Sequence, residues 1–473
     1  MLCGAVYSAK DVRWSPQTLA LQAEGRLRRT GPGSIAGVFI DSRAPCPGAL
    51  FVPIVAARDG HDFVPHAIEG GAAAVLIGAD RPLPPGEITV VEVDDTVAAL
   101  ARLGARSRDR VDGPVVSITG SNGKTTTRAM IAAVLGSAME DVLCTRGNLN
   151  NHLGVPLTLT GEPHDPQAMV IELGMSAPGE NDHLASIVRP SVAVITSIAL
   201  EHLEFMGSLE AIAAAEAEVV PHVVTHGMNG GVVIVPDDEP TLAPHLPKGP
   251  QPAVLRFGPG DEADVQVLGV KLAERTEAML RVPGGERVRL RLRCFGAHNA
   301  RNAAAALAVG CHLGLPLVPM VEALEAVEPV GDRGRVHAWG DHLVIADCYN
   351  ANPGSVEAAL VSLAGLGDDR PGPRIAVLGD MLELGPREPE LHAEVGRRCA
   401  ALGIDHVVTL GPRSEATARA ARAAGVSARH LGDDVAAAAA EVRQTLDGAE
   451  PGAVLVKASR GMRLERVVTA LLG

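Results

Sequence analysis

The stretch "ITGSNGKTTTRAM", residues 118–130, decides the reading. It continues the β-rich run "PVVSITG" and opens "KTTTRAMIAAVLGSAM", whose apolar residues recur at helical spacing. A glycine turn from strand into helix lets backbone N–H groups approach phosphate oxygens, and the helix N-terminus adds partial positive charge. Lys124 would reach the β- and γ-phosphates and Thr125 could hold a magnesium ion. Gly120 and Gly123 give G-x-x-G-K, shorter than the usual G-x-x-x-x-G-K. ATP with Mg2+ is the expected ligand, its phosphates cradled by Gly120, Ser121, Asn122, Gly123, Lys124, Thr125 and Thr126. The bland alternative is an ordinary turn with a solvated lysine.

Outward from the loop, "AMVIELGM" and "SVAVITSI" are further buried-strand candidates, and their alternation with helical material favours a mostly parallel sheet covered by helices. Magnesium takes oxygen ligands and keeps waters, so one or two acidic groups are expected near the phosphates. Glu172 ends the first of these strands, and His202, in "ALEHLEFMG", follows the second. Either residue taken alone is more often structural than a ligand.

A chain of 473 residues exceeds one ordinary core, and three domains are expected. Residues 1–112 read as a small α/β domain closed by the helix-like "TVAALARLGARSRDR". Residues 113–328 carry the loop and turn to β-like segments, including the alternating "ERVRLRLRC", before the Ala-rich "NARNAAAALAVGCHLG". Residues 329–473 repeat strand and helix through "LVIADCYN", "RIAVLGDM", "HVVTL" and "AVLVKAS", which suits a Rossmann-like domain.

The composition is 47% hydrophobic and 21% charged, with aromatics at only 2%, so Ala, Leu and Val must pack the cores. A formal charge of −14 argues against a general nucleic-acid binder. No run of about 18 apolar residues and no signal-like start is present, so no membrane association and a cytoplasmic location are expected. Seven scattered cysteines without a C-x-x-C pair point to reduced thiols.

Together these stretches resemble the ATP-dependent Mur ligases of peptidoglycan synthesis. The resemblance runs through "DSRAPCPGALFV", "GSNGKTTT", "GNLNNHLGVPLTL", "ELGMSAPGE", "EHLEFMGSLEAIAAAEAE", "GAHNARNAAAALAVG", "DCYNANPGS", "LGDMLELG" and "VKASRGMRLE". It implies an α/β, three-domain architecture: an N-terminal domain for a UDP-substrate, a central phosphate-loop ATPase domain, and a C-terminal Rossmann-like domain for the incoming amine. "YNANP" and "LGDMLELG" imply the branch that adds D-alanyl-D-alanine to UDP-N-acetylmuramoyl-tripeptide through an acyl phosphate.

Carried over by position, the resemblance implies that Lys124, Glu172 and His202 serve catalysis. It puts His298, Asn299 and Asn302 beside adenine, Asp347 on the ribose, and Arg333, Asn350 and Asn352 around the nucleotide. Ser42 and Arg43 would meet the uridine diphosphate, Asn148, Asn150 and Asn151 the peptide-bearing substrate, and Lys457, Ser459 and Arg460 would form a substrate-facing wall. A monomer is expected.

The resemblance breaks at one metal position. Where the family has a lysine that is typically carbamylated, the helix "SLEAIAAAEAE" has Glu216, and the five lysines of the chain lie elsewhere. Thr125, Glu172, His202 and Glu216 would then form the metal set, with Glu216, on the order of 3–4 Å shorter than a lysine carbamate, acting through a water. Asp332 and Ala458 stand where glycines are common, and a glycine position needing positive φ would resist either. Two other readings stay open: a ligase of the same type acting on another carboxylate and amine, and a nucleotide-binding homologue with impaired catalysis.

Overall fold

The computed structural model describes residues 13–161, 165–200, 206–225, 230–366 and 370–473. Contacts group the chain into two compact units: residues 1–117, 139–175 and 179–191 form one, and residues 118–138, 176–178 and 192–473 the other. This grouping follows packing and does not coincide with the three spans expected from sequence rhythm.

The first unit holds a five-stranded sheet made by β1 (Arg26–Arg29), β2 (Val38–Phe39), β3 (Leu50–Phe51), β4 (Ala74–Gly78) and β5 (Thr89–Val93), in the order β1-β5-β4-β3-β2. Only β1 runs antiparallel to its neighbour. The boundary between the units falls inside β6 (Val115–Thr119). In the first unit β7 (Val142–Cys144) and β8 (Ala168–Glu172) pair in parallel, so Glu172 ends its strand as the sequence predicts.

In the second unit β9 (Val192–Ile195), β10 (Val232–Pro236), β11 (Ala253–Gly258) and β12 (Val265–Leu272) pair in parallel, and β13 (Thr276–Arg281) and β14 (Arg287–Leu292) add antiparallel strands. The burial of these strands explains their sequences. Every residue of β10, "VVIVP", is buried, as a strand covered on both faces requires. β14, "RVRLRL", alternates exposed and buried, one face wet and one dry.

Helix α1 (Lys124–Gly136) packs against helix α3 (Ala297–His312), with α2 (Leu209–Glu216) between them in the chain. In α3 the residues Ala303–Val309 are all fully buried. A Cβ on Gly310 would lie 2.8 Å from Val134 Cγ1 of α1. Small residues therefore set how closely α3 approaches α1, and the scarcity of aromatics is the composition of such a core.

The remaining sheet contains β15 (Arg335–Trp339), β16 (His342–Ala346), β17 (Arg374–Gly379), β18 (His406–Leu410), β19 (Ser427–His430) and β20 (Ala453–Lys457), ordered β15-β16-β20-β17-β18-β19. All but β15 are parallel, and helices follow them, including α4 (Pro353–Ala364) after β16. The sequence rhythm predicts four of these strands and misses the two edges: β15, a half-buried run, and β19, "SARH", which lacks a β-branched residue.

Neither Asp332 nor Ala458 has positive φ, so the backbone takes both without strain. Six free cysteines lie among the described residues, and burial pushes the Cys294, Cys348 and Cys399 thiols up to about 12. Among the described residues no helix is long and apolar enough to cross a membrane.

Ala458 generates a test of the third sheet. A Cβ on Gly379 would stand 2.7 Å from the Ala458 Cβ and 3.0 Å from Leu464 Cδ1. Gly379→Ala is expected to cost about 1–3 kcal/mol by overpacking. Adding Ala458→Gly should recover part of that loss, read by chemical denaturation of the single and double variants.

Candidate active site

The turn between β6 and α1 is built from glycines that admit no side chain. Gly120 has φ +114, and a Cβ there would lie 2.3 Å from Thr196 Oγ1 and 2.7 Å from Thr196 N. Gly123 has φ +88, and its Cβ would lie 2.7 Å from Asn302 Oδ1. The turn's amides are held one by one. Gly120 N–H donates to Glu216 Oε2 at 2.8 Å, Ser121 N–H to Ser197 O at 2.8 Å, and Asn122 N–H to Ser197 Oγ at 3.0 Å. Lys124 Nζ folds back to donate to Gly120 O. A rigid turn leading into a helix N-terminus with a lysine over it is a ready anion site.

Helix α3 brings two amide side chains to the same place. Asn299 Nδ2 donates to Phe295 O at 2.8 Å, and Asn302 Nδ2 donates to Asn299 Oδ1 at 3.0 Å. Asn302 lies against Gly123 of the phosphate turn. His298 Nε2 lies 3.2 Å from Asn299 Nδ2, while its buried Nδ1 has no hydrogen-bond partner among the described residues. Burial lowers the His298 pKa, against the pull of Asp347 and with the push of Lys457.

The C-terminal ends of β16 and β20 carry the next group. Lys457, only 3% exposed, donates to Asp347 Oδ2 at 2.7 Å and to Asn350 O at 3.1 Å. The sequence puts Lys457 on a substrate wall and Asp347 on ribose; the structure joins them, because a buried ammonium requires a carboxylate. Ser459 Oγ is likewise turned inward, donating to Ala351 O at 3.2 Å and accepting from Leu382 N–H at 3.0 Å. Arg460 is exposed, 5.5 Å from the Tyr349 ring centroid, and Arg333 stacks on the same ring at 3.5 Å. Asn352 caps α4 by accepting from Ser355 N–H at 2.8 Å, and its Nδ2 donates to Asn122 Oδ1 of the phosphate turn at 2.9 Å.

Sequence reasoning missed Ser197, which holds two turn residues, and Tyr349, the platform under Arg333. Both stand in quoted stretches, "VITSI" and "DCYN", where a polar or aromatic residue two or three positions past a strand is the available signal.

In the first unit Glu172 is buried, its Oε1 accepting from Asn150 Nδ2 at 3.1 Å and its N–H donating to Thr145 Oγ1 at 2.9 Å. Asn150 thus orients Glu172. Asn151 Oδ1 accepts from Leu153 and Gly154 N–H just ahead of the helix Gly154–Thr160. Asn148, exposed, accepts from Asn150 N–H through its backbone oxygen. Ser42 is buried, with its Oγ 3.2 Å from His66 Nδ1. Arg43, its side chain 81% exposed, forks onto Asp41, which lowers the Asp41 pKa. His202 lies outside the described residues.

The chain matches two family models, "Mur ligase middle domain" over residues 118–310 and "Mur ligase, glutamate ligase domain" over residues 333–460. The chain belongs to the Mur ligase family. Within that family it is similar to the UDP-N-acetylmuramoyl-tripeptide–D-alanyl-D-alanine ligases of Bacillus subtilis (strain 168), 36% identical with 93% of each chain covered, and of Escherichia coli (strain K12), 35% identical with 93% of this chain and 94% of that one covered. Among solved structures it is similar to MurF from Acinetobacter baumannii, with TM-score 0.86, 31% identity, and 97% of this chain and 98% of that chain covered. MurF ligase from Thermotoga maritima in complex with ADP matches at TM-score 0.79 and 28% identity, over 92% of this chain and 96% of that chain. The three-domain α/β architecture with its central phosphate-loop domain and C-terminal Rossmann-like sheet is therefore this chain's fold class.

The Lys457–Asp347 pair generates a contrast. Lys457→Met removes the ammonium from a half-buried carboxylate, that of Asp347, and is expected to cost about 1–3 kcal/mol. Arg460→Ala, at an exposed position, should stay within about 0.5 kcal/mol in the same denaturation assay.

Proposed function

We infer that the chain joins D-alanyl-D-alanine to UDP-N-acetylmuramoyl-tripeptide at the expense of ATP, releasing ADP and phosphate, in peptidoglycan precursor synthesis. The observation that carries this is the preformed phosphate turn at Gly120–Lys124, set in a chain similar over 93% of its length to ligases of that name.

The chemistry follows from the reactants. A carboxylate is a poor electrophile and repels ATP, so the site must neutralise two anions as they meet. The terminal carboxylate oxygen of the tripeptide attacks the γ-phosphorus, the bond to the β-phosphate oxygen breaks, and ADP leaves. The neutral amine of D-alanyl-D-alanine then attacks the acyl carbon, phosphate departs with the former carboxylate oxygen, and a proton from the amine goes to solvent. No side-chain nucleophile is needed, because both reactants are substrates held close together.

In this reading Lys124 moves its ammonium from Gly120 O to the β- and γ-phosphate oxygens, and the first turn of α1 supplies amide donors. Asn302 keeps Gly123 in place, Asn299 and His298 face the base, and Asp347, oriented by Lys457, accepts ribose hydroxyls. Arg333, held flat on Tyr349, adds positive charge, while Asn350 and Asn352 frame the nucleotide. Ser42 and Arg43 belong to the uridine diphosphate site, and Asn148, Asn150 and Asn151 to the peptide side. The three spans 1–112, 113–328 and 329–473 are proposed to take the UDP-substrate, ATP and the amine. A cytoplasmic monomer fits the soluble nucleotide substrates.

Magnesium is part of the proposal. Among the described residues no three acidic, histidine or cysteine side chains cluster as a cage, and magnesium asks for none, since it binds through one or two protein oxygens with phosphates and waters. The Thr125 hydroxyl and the Glu172 carboxylate are oxygen donors of that kind, and His202 is the third residue proposed to hold it. When bound, the ion supplies positive charge to phosphate oxygens.

The test is a reaction of pure protein, Mg-ATP, UDP-N-acetylmuramoyl-tripeptide and D-alanyl-D-alanine, read by mass spectrometry with ADP release followed in parallel. The expected result is UDP-pentapeptide matched one to one by ADP, and a loss of about 10²-fold or more in turnover for Lys124→Met. ATP binding without pentapeptide would transfer the chemistry to another carboxylate or amine.

A further inference from the structure

We propose that Glu216 is a positioning residue, whose carboxylate locks the phosphate turn in its anion-accepting shape, and that it does not serve as a metal ligand. Glu216 ends α2 and is 1% exposed. A carboxylate so far from water must find donors within the protein. One is Gly120 N–H, 2.8 Å from Oε2. The backbone of Glu216 makes a second tie, its C=O accepting from Thr119 Oγ1 at 3.0 Å. Side chain and main chain of one residue thus hold the two consecutive residues at which β6 becomes the turn.

The place of that grip gives it a purpose. Gly120, at φ +114 and against Thr196, can contribute only its backbone to the turn. Its N–H sits just ahead of the amides held by Ser197, so Glu216 supplies the first of three successive anchors. A carboxylate that faced the phosphates would weaken their binding; buried and with its Oε2 on Gly120 N–H, this one acts on the backbone. This direct contact is proposed in place of the water-bridged metal role expected from the sequence.

The inference rests on the reading of the turn as the ATP site, and the test separates the two. ADP affinity is measured by calorimetry with excess EDTA and again with magnesium, for the parent, Glu216→Gln, Glu216→Ala and Glu216→Met. Deuterium exchange of the ligand-free peptide spanning residues 115–125 is followed for the same four proteins, with circular dichroism to confirm folding. Glutamine keeps a carbonyl oxygen for Gly120 N–H, while alanine and methionine do not; methionine also preserves side-chain length if alanine fails to fold.

The expected result in EDTA is ADP binding by Glu216→Gln within about threefold of the parent, and at least about tenfold weaker binding by the apolar variants, a factor worth about 1.4 kcal/mol. Exchange of the 115–125 peptide should rise only in the apolar variants. Equal affinities for all four proteins in EDTA, with losses confined to magnesium buffer and unchanged exchange, would overturn the proposal and return Glu216 to the metal. Failure of Glu216→Gln to rescue either readout would overturn it as well. If the parent binds no ADP in either buffer, the nucleotide reading falls, and the exchange result still decides whether Glu216 holds the turn.

Discussion

Where the chain leaves β6 at Gly120 it takes φ +114 with a Thr196 hydroxyl 2.3 Å from where a Cβ would stand, and three successive amides are bound by Glu216 and Ser197. Backbone amides are strong obligatory donors, and fixing them before any ligand arrives removes the ordering cost from binding. The steric limit at Gly120 and Gly123 and the acceptors arranged around them act together. One makes the turn possible and the other makes it single-valued.

The rest of the second unit serves that turn. Small residues along α3 let it pack closely on α1, and this brings Asn302 against Gly123. Asn352, at the start of α4, reaches Asn122 of the turn with a 2.9 Å hydrogen bond. The strand ends of the six-stranded sheet add Asp347, fixed by buried Lys457, and Arg333, flattened on Tyr349. Groups from distant parts of the sequence converge because parallel strands end on one side of their sheet, where helices begin.

Much of this was legible from the sequence, for a physical reason. The strands of parallel sheets are continuous apolar runs, and "PVVSITG", "AMVIEL", "VAVITSI" and "AVLVKAS" each contain an observed strand. The phosphate turn was readable because its chemistry demands glycine at fixed places. What could not be read was which protein partners the polar side chains take. Lys457, Ser459 and Asn151 read as binding residues in one dimension, and each also bonds a protein partner that no spacing announces. Glu216 is the clearest case: its position is identified by register, but the direction of its carboxylate depends on Gly120 N–H, nearly a hundred residues away in sequence.

The central claim is that the turn delivers the γ-phosphate of ATP to a carboxylate. The direct measurement uses UDP-N-acetylmuramoyl-tripeptide labelled with 18O in its terminal carboxylate, with mass analysis of the released phosphate after one turnover. The account predicts one 18O atom in phosphate for each pentapeptide formed, and none in ADP. Pentapeptide formed with unlabelled phosphate, or with label in the nucleotide, would contradict it.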